Sequence, residues 1–193
     1  MVKRLLFVFV MSFSYITYGQ NDVYETENSL FEKVNQLQDS IQNSTLYRKI
    51  SSKNLSVCEE AIETYNKIKE RQLGLFLKVI EEYPNSNNIL KAFFEKGRLE
   101  FELGKFDLAK ESFIKVIDFR SEKAGFYWRN SFVILAMIEI EKKEFNQALK
   151  YLNESERIFG TDGLSDYSDS FYANKLRVQH LHELCNKHLK KQK

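Results

Sequence analysis

The clearest structural signal in this chain is the stretch AFFEKGRLEFELGKFDLAKESF, residues 92–113. On both sides of Gly104, apolar and small residues recur every three or four positions, which is typical of two amphipathic helices. Glycine between them suits the left-handed conformation in which many helices end. Asp107 follows as a candidate N-cap of the second helix. The stretch therefore predicts a hairpin of two antiparallel helices joined by a short turn.

Small residues mark the places where the two helices would touch. Helix axes approach closely only where side chains are small, so Gly97 is expected to face Ala109, and Phe106 to close the end of the hairpin. The same order returns further along the chain, with Lys143 where the turn glycine is expected. The equivalent pairs, all at one constant spacing, are Gly97 with Ala136, Phe106 with Phe145, and Ala109 with Ala148.

This order of residues resembles the tetratricopeptide repeat family, in which a glycine precedes the turn and an aromatic residue follows it. A spacing of 39 in place of the family's period of about 34 indicates about five additional residues between the units, around 120–125. Upstream, residues 76–86 resemble the closing helix of another unit. The resemblance implies an all-α array of antiparallel helical hairpins, an α-solenoid, over residues 56–159. The first unit matches the family register at Gly97, Gly104, Phe106, Ala109 and Phe113.

Segments on both sides of the repeats are predicted to complete the array. Residues 20–55 are expected to hold an amphipathic helix, over 28–41, and a polar linker, over 42–54. Self-association through 28–41 is an alternative to packing against the repeats. The apolar pattern of 56–83 fits either one long helix or two helices with a tight turn near 67–72. No turn-forming residue is present there to decide between the two. The apolar stripe of the first helix consists of Leu30, Val34, Leu37 and Ile41.

The C-terminal part, residues 160–193, is predicted to form a loop and a capping helix. A short array cannot bury its last apolar face without such a cap. Asp169 or Ser170 is a candidate for the start of this helix. Val178, Leu181 and Cys185 would share its buried side.

Residues 1–19 have the plan of a secretory signal peptide: a basic pair, Lys3 and Arg4, then an apolar run from Leu5 to Tyr18. The run is shorter than the roughly 20 residues that span a membrane, so cleavage is favoured over an uncleaved anchor in a membrane-tethered component. No cysteine lies at the expected cleavage point to carry a lipid. We expect export to the periplasm or the medium, in a Gram-negative bacterium. The segment, together with the repeats, is similar to exported repeat proteins of the outer-membrane assembly and cell-division coordinator types.

Charge and composition exclude several functions. Without Lys3 and Arg4 the chain has 27 basic and 27 acidic residues, so it lacks the basic surface that nucleic acid requires. Cys58 and Cys185 are either one disulfide or two separate thiols. His180 and His182 lack the i, i+4 spacing of a helical metal site, and no catalytic or phosphate-binding motif occurs. The chain is therefore predicted to be non-catalytic and without cofactor or metal, with an unrecognised enzyme as the less favoured alternative.

Binding of a protein or peptide is the function that remains. In the resembled family the first helix of each unit lines the inner wall, where Lys91 and Arg98 would receive a carboxylate of the ligand. The alternative is that helices of this same chain fill the groove. The predicted wall consists of Lys91, Phe94, Arg98, Phe101, Asn130, Val133, Met137 and Ile140.

Overall fold

The computed structural model describes residues 25–119, 125–161 and 169–191. Within these ranges the chain forms helices and no strand, as the sequence predicts. The signal peptide, most of the insertion between the units and residues 162–168 lie outside the described residues. The helices are α1 (Glu27–Gln42), α2 (Leu46–Ile50), α3 (Leu55–Glu82), α4 (Ile89–Glu102), α5 (Phe106–Asp118), α6 (Gly125–Glu141), α7 (Phe145–Thr161) and α8 (Asp169–Lys191).

Capping residues set several of these boundaries. The Thr26 hydroxyl accepts a hydrogen bond from the Ser29 amide at 3.2 Å and starts α1. Asn54 starts α3 in the same way, through its side-chain oxygen and the Ser56 amide. The helix ends just before Pro84, which lacks the amide hydrogen that a further turn would need.

The two hairpin turns have the same backbone geometry. Gly104 has a φ of 72° and Lys143 a φ of 64°, so both lie in the left-handed region. In each turn this residue and the next one donate to carbonyls of the preceding helix, the pair of bonds that defines a Schellman cap. These bonds join Gly104 to Phe101 at 3.0 Å, Lys105 to Glu100 at 2.8 Å, Lys143 to Ile140 at 2.9 Å and Glu144 to Glu139 at 2.8 Å.

Three apolar clusters follow one another along the array, each shared by three helices. The first joins α1, α3 and α4, the second joins α4, α5 and α6, and the third joins α6, α7 and α8. The predicted terminal cap, α8, therefore completes the third cluster, through Val178 and Cys185. Among the described residues each cluster joins helices that lie near one another along the chain, as in a solenoid.

The close approach within the first hairpin differs in detail from the expectation. A β-carbon on Gly97 would lie 3.1 Å from Ser112 and from Phe113, so these residues, and not Ala109, are its nearest neighbours. The reason is the antiparallel geometry, since Gly97 and Ser112 are equally far from the turn. Ala109 is itself fully buried in the second cluster, so a small residue is required there as well.

Four local expectations are corrected. Asp107 lies inside the first turn of α5, which starts after Lys105, so it is not the N-cap. Residues 46–50 of the expected linker form the short helix α2, because Leu46 is buried. Residues 160 and 161 of the expected loop belong to α7. Asp169 and Ser170 lie within α8 and not ahead of it.

Candidate functional site

The predicted wall of the first unit is only partly accessible. Lys91 is exposed, with its ammonium nitrogen 5.0 Å from the centre of the Phe31 ring of α1. Phe94 is only 6% exposed, because it packs edge-on against Phe113 in the core of the hairpin. Phe101 is half-buried against Phe106, with the ring centres 5.6 Å apart. Of these three, Lys91 is the one whose side chain is largely exposed to solvent.

Arg98 is held by carboxylates of its own helix. Its Nε donates to Glu95 at 2.9 Å and its Nη1 to Glu102 at 2.7 Å. Glu102 also receives the ammonium of Lys69, a buried residue of α3, at 3.1 Å. The arginine therefore stabilises the contact between α3 and α4, and a ligand's carboxylate would have to compete with Glu95 and Glu102 for it.

Tyr65 completes this charged cluster. Its hydroxyl donates to Glu102 at 3.3 Å, and the ring packs beneath the Lys69 ammonium, 5.2 Å from the ring centre. Burial, together with the negative charge of Glu102, raises the pKa of Tyr65 to about 12. The phenol therefore stays neutral and acts as a hydrogen-bond donor at neutral pH.

The predicted wall of the second unit is closed by α8. Val133 is 5% exposed and Ile140 half-buried, and both pack in the third cluster with residues of α8. The thioether sulfur of Met137 accepts a hydrogen bond from Arg177 of α8 at 2.9 Å. Asn130 is half-buried and bonds its own helix, through the Phe126 carbonyl. The eight residues thus do not form one open groove, because helices of the same chain cover part of it.

What remains open is a surface around Lys91. One cavity of about 230 Å³ lies between α1, α3 and α4, with Lys91 and Arg98 in its lining. A larger cavity of about 710 Å³ lies between the α3–α4 turn and two aromatic residues, Phe119 and Tyr127. Lys91 lines both cavities, so they adjoin.

The aromatic side of the larger cavity was missed by the sequence analysis. Phe119 is 41% exposed and Phe126 is 52% exposed, large fractions for phenylalanine. Tyr127 lies between Phe126 and the buried Phe94, with ring centres 5.4 and 5.2 Å away. A signal was present, since these aromatics border the additional residues that separate the two units. We define the aromatic surface as Phe119, Phe126 and Tyr127.

Two features are not found among the described residues, a metal-binding cluster and a membrane-spanning helix. They include no group of three or more histidine, cysteine or acidic side chains placed to bind a metal. Among them no helix has the length and apolarity needed to cross a bilayer. The histidines of α8 have different surroundings: His180 is exposed, whereas the ring of His188 stacks on Phe145 at 4.6 Å.

The cysteines are two separate thiols, one of the two readings that the sequence left open. Cys58 is half-buried near the start of α3, and its sulfur lies 2.9 Å from the Ile50 carbonyl oxygen. Cys185 is fully buried in the third cluster, at the other end of the array, and burial raises the pKa of its thiol.

Comparison with family models matches α4, α5 and the residues that follow them. The matching model is described as Tetratricopeptide repeat and covers residues 90–123. Residues 90–123 are a tetratricopeptide repeat. Comparison with curated proteins and with solved structures gave no match. The α6–α7 hairpin lies outside the matched range, yet it has the same left-handed turn as the matched repeat.

Proposed function

We propose that this protein is a non-catalytic scaffold of the cell envelope that holds another protein against the aromatic surface. The observation that carries the proposal is the cavity of about 710 Å³ beside the matched repeat, which is lined by the exposed Phe119 and by Tyr127, with the exposed Phe126 packed against Tyr127. Repeats of this family typically mediate protein interactions, which favours binding over catalysis. Exposed aromatic residues that border a cavity are the kind of anchor that dominates binding energy at protein interfaces.

The cavity also indicates the kind of segment that would dock. Phe119 and Tyr127 form an apolar side, while Asn85 and Asn87 of the α3–α4 turn form a polar side. Lys91 places a positive charge between the cavity of the turn and the smaller cleft beside α1. An amphipathic segment with one apolar anchor and a carboxylate matches this arrangement.

The envelope location rests on the sequence of residues 1–19 and stays a proposal. Their basic pair and apolar run support export to the periplasm, with roles similar to those of outer-membrane assembly or cell-division coordinator proteins. The mass of the protein purified from its native host tests the cleavage. Loss of residues 1–19 is expected, whereas a full-length mass in the membrane fraction would favour the tethered alternative.

Capture of partners by crosslinking tests the docking surface. The wild type is compared with the double variant Phe119→Ala and Phe126→Ala, each protein being crosslinked in an envelope fraction and recovered by an affinity tag. The expected result is loss of specific partners from the double variant, because its apolar anchors are gone. A matched control, Leu108→Ala with Leu176→Ala, removes two exposed apolar side chains elsewhere. The proposal is rejected if all three proteins capture the same partners equally.

A further inference from the structure

A third cavity, of about 580 Å³, lies on the other flank of the α1–α3 pair. We call it the N-terminal groove. Its walls are formed by the faces of α1 and α3 opposite those that line the cleft beside α4. The two cavities share no lining residue, so the groove is separate from the cavities around Lys91. It is lined by Lys33, Gln36, Leu37, Arg71, Gly74, Leu75 and Lys78.

From this groove we infer a second docking site, one that takes an acidic amphipathic helix of another protein. The site goes beyond the proposed function, because it uses none of the residues of the aromatic surface. Three features support it: an apolar floor, a glycine that nothing in the described chain requires, and an excess of positive charge.

The floor of the groove is apolar and open. Leu37 belongs to the apolar stripe of α1, but it is only half-buried, whereas Leu30, Val34 and Ile41 are buried. Leu75 of α3 is half-buried beside it. Two parallel or antiparallel helices leave a groove in which the apolar face of a third helix packs, at an axial distance of about 8–10 Å.

Gly74 lies in this floor, and no packing contact among the described residues requires a glycine there. Glycine in a helix interior is about 1 kcal/mol less favourable than alanine. A β-carbon at Gly74 would meet nothing within 4 Å among the described residues, so no neighbour forbids a larger residue. Gly97 is different, since Ser112 and Phe113 lie against it. The absence of a side chain at Gly74 lets the backbone of an incoming helix approach closely.

The rim of the groove is positively charged. Lys33, Arg71 and Lys78 are exposed, and none of the lining residues is acidic. The Glu25 carboxylate accepts hydrogen bonds from Lys33 and, at 3.0 Å, from Lys78, and these bonds lower the pKa of Glu25. The charge of Glu82, one turn further along α3, also acts on Lys78, so two carboxylates accompany three cations and the excess is one positive charge. Among the described residues Arg71 has no acidic partner.

The spacing of the charges specifies the ligand further. Arg71 and Lys78 are seven residues apart, about 10.5 Å along α3, with Gly74 between them. A helix with carboxylates two turns apart and a leucine between them would pair one carboxylate with Arg71 and place the leucine on Gly74. Its second carboxylate would lie beside Lys78, which shares Glu25 with Lys33. The apolar run within residues 1–20 of this chain includes no acidic side chain, so it does not meet the charge requirement.

Binding of designed peptides to the full chain tests the inference. The probe is a fluorescently labelled amphipathic helix of about 15 residues, the length at which an isolated helix begins to persist, with glutamates two turns apart around one leucine. The comparison peptide has lysine in place of each glutamate. Anisotropy titrations are expected to show at least about tenfold weaker binding of the lysine peptide, with a steep loss of affinity for the acidic peptide as salt rises.

Variants locate the binding site. Arg71→Glu should weaken binding of the acidic peptide about tenfold or more, and Gly74→Leu should remove it by filling the floor. Lys150→Glu makes the same change of charge sign at an exposed position of α7 and should leave binding unchanged, as should Phe119→Ala with Phe126→Ala. Equal binding of the two peptides, or full binding by Arg71→Glu and Gly74→Leu, rejects the inference without touching the proposed function.

Two other occupants of the groove are conceivable, a segment of this chain and a second copy of it. The unfolding temperature and the molecular mass of the Gly74→Leu variant test for each. The variant is expected to unfold at a higher temperature than the wild type, because leucine is the better helix former and open space surrounds it. A lower temperature would mean that a segment of this chain already fills the groove. A dimer in the wild type that becomes a monomer in the variant would mean that a second copy fills it. Either result rejects a partner helix.

Discussion

The two hairpin turns differ at one residue, Gly104 in the first and Lys143 in the second, although both backbones are left-handed. For a residue with a β-carbon this conformation costs about 1 kcal/mol, whereas glycine adopts it freely. Lys143→Gly is therefore expected to raise the free energy of unfolding by about 1 kcal/mol, measured by chemical denaturation. Lys143→Ala is the control, because it removes the same side chain and keeps the β-carbon. A gain as large in the alanine variant would show that the lysine side chain, and not the backbone, is unfavourable.

Two helical glycines give opposite expectations for the same substitution. Gly74→Ala should raise the free energy of unfolding by up to about 1 kcal/mol, since alanine favours the helix and meets no neighbour. Gly97→Ala should lower it by about 1–2 kcal/mol, because Ser112 and Phe113 are buried and cannot move aside. Thermal unfolding of both variants checks the pair. Stabilisation by Gly97→Ala would mean that the α4–α5 contact is looser than the structure shows.

The two thiols are expected to react at very different rates. Cys58 is half-buried, while Cys185 is fully buried and its pKa is raised by burial, so less of its reactive thiolate forms. A chromogenic disulfide reagent should label one thiol per native chain quickly and the second only after unfolding. Cys58→Ser should remove the fast phase. No labelling of the unfolded wild type would instead show a disulfide.

At the scale of helices, the sequence was sufficient to predict the two hairpins but not to decide whether α3 is one helix or two. The pattern of small residues and the turn glycine indicated the matched repeat, because those requirements are local. Residues 55–82, in contrast, fitted one helix or two, and the structure has a single helix of 28 residues. Residues 67–72, where the sequence left a turn open, include the polar residues Lys69 and Gln72. Both are buried, Lys69 against Glu102 and Gln72 against the Val34 carbonyl.

How much of the predicted groove is open depends on long-range packing. Whether the inner side of α4 or α6 is open depends on where α1 and α8 pack, and helical periodicity does not specify that. Lys91 stayed exposed because α1 leaves a cleft beside it, whereas Val133 and Met137 were covered by α8. The alternative that the chain fills part of its own groove was named from the sequence, but its extent required the structure.

A substitution that detaches α8 from the array tests whether this helix covers the inner side of α6. Val178→Asp places a carboxylate without a partner in the third cluster and is expected to cost about 3 kcal/mol. Amide hydrogen exchange should then accelerate in α8 and on the inner side of α6, where Val133 and Met137 lie. Leu176→Asp is the matched control, since Leu176 lies on the same helix and is exposed. Similar exchange in both variants would contradict a closed second unit.

Across the whole molecule, buried carboxylates recur at the repeat spacing and join its parts. Glu100 and Glu139 are equivalent positions, and each is almost fully buried. Glu100 is satisfied inside its own unit, by Lys96 at 2.6 Å and by the Ser112 hydroxyl at 2.6 Å. Glu139 is satisfied across units, by Lys110 of α5 at 2.6 Å. The second carboxylate therefore couples the two hairpins.

Lys110→Gln should weaken this coupling. Glu139 would remain buried without its cation, which we expect to lower the free energy of unfolding by about 2 kcal/mol, less than for a fully buried pair because Lys110 is partly exposed. Lys150→Gln, at an exposed position of α7, should change it little. The double variant Lys110→Met with Glu139→Met should recover much of the loss, since neither charge is then buried.

The difference between Lys110→Gln and the wild type should also depend on pH. The hydrogen bond to Glu139 raises the pKa of Lys110 above its ordinary value of 10.5, so the pair stabilises the folded state fully below pH 10.5. As pH rises through the higher folded pKa, the ammonium is lost and so is its contribution. The pKa of Tyr65 is raised from 10.0 to about 12, so this residue also destabilises the folded state as pH rises above 10.0. The effect is the same in both proteins and cancels in the difference between their free energies of unfolding. Denaturation at pH 8 and at pH 11 should therefore show a smaller gap at the higher pH. A gap that is constant or grows would mean that the two hairpins are coupled by packing and not by this ion pair.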